Sequence, residues 1–188
     1  MRKNFFVTSV KSLCVLCGLF FLSCNNTPTE TAEIPQKKTH TELVSSVDSL
    51  ENILRSQSQI NYQLGAAMIK AYVDVVNDDP KGEKSAEYLF KAGDVCMNLK
   101  QSKKAIEFFT KVHDEHIKSD KAQMALFLQA FIYETQLNDL EKSRMIYGQV
   151  MSEYPGTKLA GDAKASIDNL GKTDDELIKE FEKKNEKK

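Results

Sequence analysis

Apolar and small residues follow a pattern that occurs twice in succession between Ser85 and Thr157. Shifting the sequence so that Phe109 falls on Tyr147 brings the other apolar positions of the two copies into coincidence as well. Each copy holds two stretches with the three- and four-residue apolar spacing of an amphipathic helix, which predicts a helix–turn–helix unit. A fixed period of about 20–45 residues is typical of stacked helical repeats, in which each unit buries its apolar face against its neighbours.

Two more helices are predicted before the repeated units. A capping-box spacing at Thr39 and Glu42 opens an apolar series over Leu43–Leu54. The next helix is expected over residues 60–77, and Pro80 stops it because proline cannot continue a helix. We interpret the first of these helices as a packing helix that starts the array.

The pattern after the repeats predicts a cap. Residues 158–170 have helical spacing, and a second capping-box spacing at residues 173–176 opens a final helix that contains Leu177, Ile178 and Phe181. We expect residues 158–181 to shield the last repeat, as arrays of this kind require. A terminal helix that binds a partner is the alternative.

The repeated units carry the apolar and small residues that mark one family of helical repeats. In the first copy these are Leu89, Ala92, Gly93, Cys96, Ala105, Phe109 and Val112, and in the second Phe127, Ala130, Phe131, Glu134, Ser143, Tyr147, Val150 and Pro155. On these residues, 85–157 resembles tetratricopeptide repeats, although Phe131 replaces a small residue and Glu134 an aromatic one. The resemblance implies an all-α fold of antiparallel helix pairs, stacked as a short right-handed solenoid with a C-terminal capping helix.

The start of the chain has a distinct pattern of basic, apolar and small residues. A basic beginning is followed by an apolar run over residues 13–22, which is too short to span a membrane but typical of a signal-peptide core. The run ends in Phe21-Leu22-Ser23-Cys24, which resembles the lipobox in the signal peptide of bacterial lipoproteins. The resemblance implies cleavage before Cys24 and lipidation of its thiol. An ordinary secretory peptide that happens to contain a cysteine is the alternative.

These patterns divide the chain into four segments. The segment after the cysteine is polar and contains two prolines, which is typical of a flexible tether. We predict a cleaved lipoprotein signal peptide over residues 1–23, the lipidated Cys24 and a tether over residues 24–40, a repeat array over residues 41–171, and a C-terminal capping helix with a charged tail over residues 172–188.

Composition and charge argue against nucleic acid as a partner. The formal net charge is −1, and the predicted signal peptide contributes Arg2, Lys3 and Lys11 but no acidic residue, so the mature chain would be more acidic, with a net charge of −4. Nucleic-acid binding requires a basic face, and the sequence shows none. The predicted mature chain keeps only Cys24 and Cys96, so we expect no structural disulfide and interpret Cys96 as a small buried residue.

The sequence offers little catalytic chemistry. It contains no nucleophile elbow, phosphate-binding loop or zinc-ligand spacing. His113 and His116 lie close together with acidic residues between them, but a solvated helix end explains them better than a metal site. We therefore predict no catalytic residue, no metal and no cofactor, and we do not expect an enzyme.

The tetratricopeptide resemblance also implies a groove that binds a partner. By the geometry of that family, the groove would present Glu87, Phe90, Asp94, Met97 and Asn98 from the first copy, and Ala125, Leu128, Ile132, Thr135 and Gln136 from the second. Four of these, Phe90, Met97, Leu128 and Ile132, would form an apolar strip that could bind an extended peptide or a helix. The alternative is that another helix of the chain, Leu43–Leu54, covers this strip.

The combination of lipobox, tether and long-helix repeats is similar to the tetratricopeptide lipoproteins of the β-barrel assembly machinery. It is also similar to periplasmic tetratricopeptide proteins that coordinate envelope constriction with wall synthesis. These resemblances imply a protein–protein scaffold or adaptor, lipid-anchored at the periplasmic face of the outer membrane of a Gram-negative bacterium. Its partners would be envelope proteins or peptide segments. An accessory surface lipoprotein that handles a peptide or a glycan is the alternative.

Overall fold

The computed structural model describes residues 37–57 and 59–185, except for the side chains of residues 174, 181 and 184. The predicted signal peptide, the predicted lipidation site Cys24 and most of the predicted tether lie outside these residues. The described part is all-α and contains no strand. Its helices are α1 His40–Ser56, α2 Tyr62–Asp78, α3 Ser85–Asn98, α4 Ser102–Glu115, α5 Ala122–Thr135, α6 Leu140–Glu153, α7 Lys158–Asn169 and α8 Asp174–Asn185.

Local sequence accounts for the ends of several helices. The Thr39 hydroxyl accepts a hydrogen bond from the Glu42 amide, and the Glu42 carboxylate accepts one from the Thr39 amide at 2.8 Å. This reciprocal capping box satisfies two amides that a helix start leaves without partners. The same pair of bonds joins Thr173 and Glu176 before α8. Both capping boxes predicted from the sequence are therefore confirmed.

Consecutive helices from α1 to α7 pack against each other, and alternate helices also contact, so these seven helices form two layers. Layer A comprises α1, α3, α5 and α7: Lys91 of α3 binds Glu51 of α1, and α5 contacts α7. Layer B comprises α2, α4 and α6, and His113 of α4 reaches Glu153 of α6. Antiparallel helix pairs in this order form a tetratricopeptide-like solenoid, which confirms the predicted fold class.

The backbone repeats with the period that the apolar pattern predicts. Helices α3, α4, α5 and α6 each contain 14 residues. Lys100 follows α3 with φ 58°, and Asn138 follows α5 with φ 51°. The interval between Lys100 and Asn138 equals that between Phe109 and Tyr147. Lys100 and Asn138 both adopt the left-handed conformation, which few residues other than glycine adopt. Each copy therefore uses the same turn between its two helices.

Within the first copy, the helices approach closely because Gly93 has no side chain. A Cβ atom at Gly93 would lie 2.7 Å from the ring of Phe109 on α4. Phe109 is fully buried, together with Cys96 and Ala105. The interpretation of Cys96 as a small buried residue is confirmed.

Helices on either side complete the array. Leu43 and Val47 of α1 are buried in a cluster with α2 and α3, so α1 and α2 form a helix pair before the first copy. At the other end, α7 packs against α6 and α5 and buries Ala163. Helix α7 therefore covers the last repeat. Helix α8 follows it and leaves Ile178 more than half exposed.

Candidate partner-binding groove

The exposed face of layer A carries an apolar stripe along α5. The α5 stripe consists of Met124, Leu128, Phe131 and Thr135, which share one helical face because they are spaced by three or four positions. Met124 is 37% exposed, Phe131 is 39% exposed and Leu128 is partly buried. The hydroxyl of Thr135 donates to the carbonyl of Phe131, and Thr135 is exposed. This face offers apolar side chains to solvent.

Two members of the stripe, Met124 and Phe131, were not predicted as groove residues. Family geometry places Phe131 at a packing position, where the first copy has Gly93. A ring could not occupy the tight space found at Gly93, so Phe131 faces solvent instead. A bulky residue at a position that requires a small one was the sequence signal for this outward orientation.

The wall on α3 contains the predicted groove residues of the first copy. Phe90 and Met97 are half-buried, because they pack on the cluster that joins α3, α4 and α5. The ring of Phe90 lies 5.3 Å from that of Phe109, measured between centroids. Asn98 is exposed, and Asp94 is half-exposed between Phe90 and Met97 on the same face. Leu128 of α5 packs on the same cluster as Phe90 and Met97, so the two walls meet there.

Ile132 does not belong to the groove surface, contrary to the sequence prediction. Its side chain is fully buried in the cluster that contains Leu89 and Cys96, so it is core. Ala125, also predicted at the groove, is fully buried as well. Gln136 lies at the end of α5, where its side chain accepts from the Ser102 hydroxyl at 2.7 Å. It also donates to the Met97 carbonyl at 3.1 Å, so Gln136 links the two copies.

Helix α1 does not cover the predicted apolar strip. Its apolar residues belong to a cluster with α2 and with Tyr88, Ala92 and Val95 of α3. Phe90, Met97 and Leu128 pack on a different cluster, which contains no residue of α1. The alternative in which Leu43–Leu54 lies over the strip is therefore wrong.

Next to the groove, a charged network ties α1 to α3. Glu51 accepts hydrogen bonds from the phenol of Tyr72 and from the ammonium of Lys91, each at 3.0 Å. Lys91 also pairs with Glu87 at 2.8 Å. Burial opposes ionisation of Glu51, but the bonds from Lys91 and Tyr72 hold its pKa below the ordinary value. Glu87, a predicted groove residue, is thus already paired within the chain.

Asp94 differs from these carboxylates because no cation of the described residues pairs with it. The nearest lysine in its helix, Lys91, is committed to Glu51 and Glu87. Burial raises the pKa of Asp94, and a hydrogen bond from Asn98 offsets this only in part. Asp94 is therefore a partly desolvated carboxylate between Phe90 and Met97 that no described cation pairs.

The predicted solvated helix end at His113 is wrong. His113 is only 8% exposed, and its Nε2 lies 2.8 Å from a Glu153 oxygen on α6. Its Nδ1 lies 2.7 Å from an oxygen of Asp114. Burial opposes protonation of the ring, but the two carboxylates raise the pKa of His113 above its ordinary value. The imidazole is thus a structural link between two helices of layer B.

Reactive chemistry is sparse in the described part of the chain. Burial raises the pKa of the Cys96 thiol to about 11, so the nucleophilic thiolate is disfavoured. The described residues contain no group of three or more His, Cys, Asp or Glu side chains that could hold a metal ion. None of the described helices is both long enough and apolar enough to cross a membrane.

The match to a known family lies in the second copy, which contains α5, α6 and the α5 stripe. Residues 124–157 match the tetratricopeptide repeat family. The match begins at Met124 and ends at Thr157, just before α7. None of the curated proteins matches the chain significantly. Because tetratricopeptide repeats generally bind protein partners, the match supports a role in protein–protein interaction.

Proposed function

We propose that this protein is an adaptor of the bacterial cell envelope, held at the periplasmic face of the outer membrane by a lipid on Cys24. In this proposal the repeat array binds a segment of an envelope protein in the groove formed by α3 and α5. The tether over residues 24–40 gives the array reach from the membrane surface.

The proposed anchor rests on the beginning of the sequence. Residues 1–24 combine a basic start, a short apolar run and a lipobox-like end at Cys24. Each buried lipid CH₂ contributes about 0.8 kcal/mol, so the two or three acyl chains of a lipoprotein form a lasting anchor.

The exposed apolar α5 stripe is the observation that carries the proposed binding function. Met124 and Phe131 remain more than a third exposed although the layers around them are closely packed. Exposed apolar side chains grouped on one face of a repeat array are typical of a protein-binding surface. The match of this same copy to the tetratricopeptide family supports the assignment.

Labelling with a palmitate analogue and membrane fractionation test the anchor. We expect the wild-type chain to carry the label and to fractionate with outer membranes, and Cys24→Ala to lose both properties. Cys17→Ala, which alters a cysteine within the predicted signal peptide, is the matched control and should retain them. Equal labelling of the Cys24→Ala variant would contradict the anchor.

Cross-linking in intact cells tests the groove. Thr135→Arg places a long charged side chain on the α5 stripe, and we expect it to reduce recovery of the cross-linked envelope partner. Ser152→Arg is the matched control, because Ser152 is also exposed and its hydroxyl also bonds a carbonyl of its own helix. Equal recovery with both variants would argue against the groove.

A further inference from the structure

The groove joins two surfaces of different chemistry. The α5 stripe supplies Met124, Leu128 and Phe131 as apolar contacts. The wall on α3 places the Asp94 carboxylate one helical turn from Phe90 and one from Met97. Because Leu128 packs on the same cluster as Phe90 and Met97, a ligand that lies across the two helices would reach both the α5 stripe and the Asp94 carboxylate.

The chain itself does not neutralise this carboxylate. Lys91 bridges Glu51 and Glu87, and Arg55 also pairs with Glu51. Within the described ion pairs Asp94 takes no part, and the side-chain amide of Asn98 donates to the backbone carbonyl of Asp94 at 2.9 Å. A carboxylate that has lost part of its hydration without gaining a cation weakens the free protein. A cation supplied by a ligand would offset that loss.

We infer that the groove binds a polypeptide segment that presents a lysine or an arginine to Asp94 and apolar side chains to Met124, Leu128 and Phe131. This inference rests on the proposed function and names the chemistry of its partner. The apolar contacts provide most of the affinity by burying surface. The ion pair provides selectivity, since an acidic segment would place two negative charges together in a poorly hydrated site.

The ion pairs of the other carboxylates support Asp94 as the residue that binds the cation of the ligand. Glu51 and Glu87 already share Lys91, so a cation from a ligand gains less there than at Asp94. Burial also disfavours the ionised form of Asp94 and raises its pKa, and a cation beside it would offset that cost.

Selection of a random phage-displayed peptide library against the full-length chain tests the inference. This selection does not require the partner to be known. Selected peptides are then synthesised and titrated calorimetrically. We expect enrichment of peptides with lysine or arginine beside apolar residues. Asp94→Asn should weaken their binding by about tenfold or more, the range for loss of a charged hydrogen-bonding partner. Asp94→Lys should abolish binding of the same peptides.

Two further variants separate binding from folding. Glu107→Gln makes the equivalent change at an exposed carboxylate of layer B and should leave binding unchanged. Phe131→Ala should weaken binding through lost apolar contact. Because Asp94→Asn removes a carboxylate without a cation, its unfolding midpoint in denaturant should equal or exceed that of the wild type. This result would show that lost binding is not lost folding.

The ways in which the inference can fail are distinguishable. Peptides that need Phe131 but bind Asp94→Asn as tightly as the wild type would overturn the cation requirement and leave the proposed groove intact. Failure to select any peptide that depends on Phe131 or Asp94 would overturn both the inference and the proposed function. Self-association of the wild-type chain that disappears in Asp94→Lys would identify a second copy as the occupant and overturn the inference.

Discussion

The phenol of Tyr147 donates a 2.8 Å hydrogen bond to the carboxylate of Glu134. The first copy has Phe109 and Cys96 at the two equivalent positions. The second copy therefore has a hydroxyl and a carboxylate where the first copy has neither. These two groups form a hydrogen bond with each other inside the repeat. Burial raises the pKa of Tyr147, and the bond to Glu134 also raises it, so the phenol remains a protonated donor.

Removing one partner of this bond should destabilise the protein. Tyr147→Phe leaves the partly buried Glu134 without its donor, and we expect a loss of about 1–2 kcal/mol in the free energy of unfolding. Glu134→Cys combined with Tyr147→Phe recreates the pair of the first copy. Denaturant unfolding of the two single variants and the double variant should show a coupling of about 1 kcal/mol. Strictly additive effects would contradict this account of the pair.

The close approach at Gly93 gives a second prediction. Gly93→Ala places a methyl group 2.7 Å from the Phe109 ring, so we expect destabilisation of about 1–3 kcal/mol from overpacking. Gly148→Ala is the control, because Gly148 is also helical and a Cβ there meets nothing within 4 Å. That change should stabilise the protein by about 0.5–1 kcal/mol in thermal or denaturant unfolding. Equal effects of the two variants would contradict the close approach of α3 and α4.

A buried hydroxyl gives a third prediction, in which a substitution increases the free energy of unfolding. The Ser143 hydroxyl is fully buried and has no hydrogen-bond partner among the described residues, and the first copy has Ala105 at this position. Ser143→Ala should raise the free energy of unfolding by about 1 kcal/mol, because it removes an unsatisfied polar group. The exposed Ser152 gives the matched change Ser152→Ala, which should alter stability by less than about 0.5 kcal/mol. Destabilisation by Ser143→Ala would show that the hydroxyl has a partner.

The link between α4 and α6 predicts a dependence of stability on pH. Because the folded state raises the pKa of His113 above its ordinary value of about 6.5, protonation of the ring stabilises the fold. This contribution is complete below about pH 6.5 and is lost as the pH rises through the raised pKa of the folded state. The midpoint of denaturant unfolding should therefore fall as the pH increases through that interval.

His113→Gln should remove the fall of the unfolding midpoint with increasing pH, and His116→Gln should retain it. The second variant is the control because the bonds to Glu153 and Asp114 are made by His113. An unchanged pH profile in His113→Gln would contradict a charged link between the two helices.

The fold was predictable because its main signals are local or periodic. The apolar pattern repeats at the interval that separates Phe109 from Tyr147, and the left-handed residues Lys100 and Asn138 are separated by the same interval. Capping residues such as Thr39 determine helix starts through bonds to amides only a few positions away, so their spacing is visible in the sequence.

The groove was less predictable, because α5 has apolar residues on nearly every side. Periodicity alone could not distinguish the buried Ile132 from the exposed Phe131, and family geometry assigned them the wrong way round. The contact between His113 and Glu153 was hidden for another reason. These residues lie 40 positions apart, and only the stacking of consecutive repeats brings them together.

Site-specific photo-cross-linking in intact cells tests the central claim, a partner held in the groove of layer A, most directly. A photoreactive amino acid is placed at Asn98 or Thr135 on the groove, or at Lys111 or Arg144, which are exposed on layer B. The account predicts one discrete protein adduct from both groove positions and none from the layer B positions. The same adduct from Lys111 or Arg144, with none from Asn98 or Thr135, would contradict it.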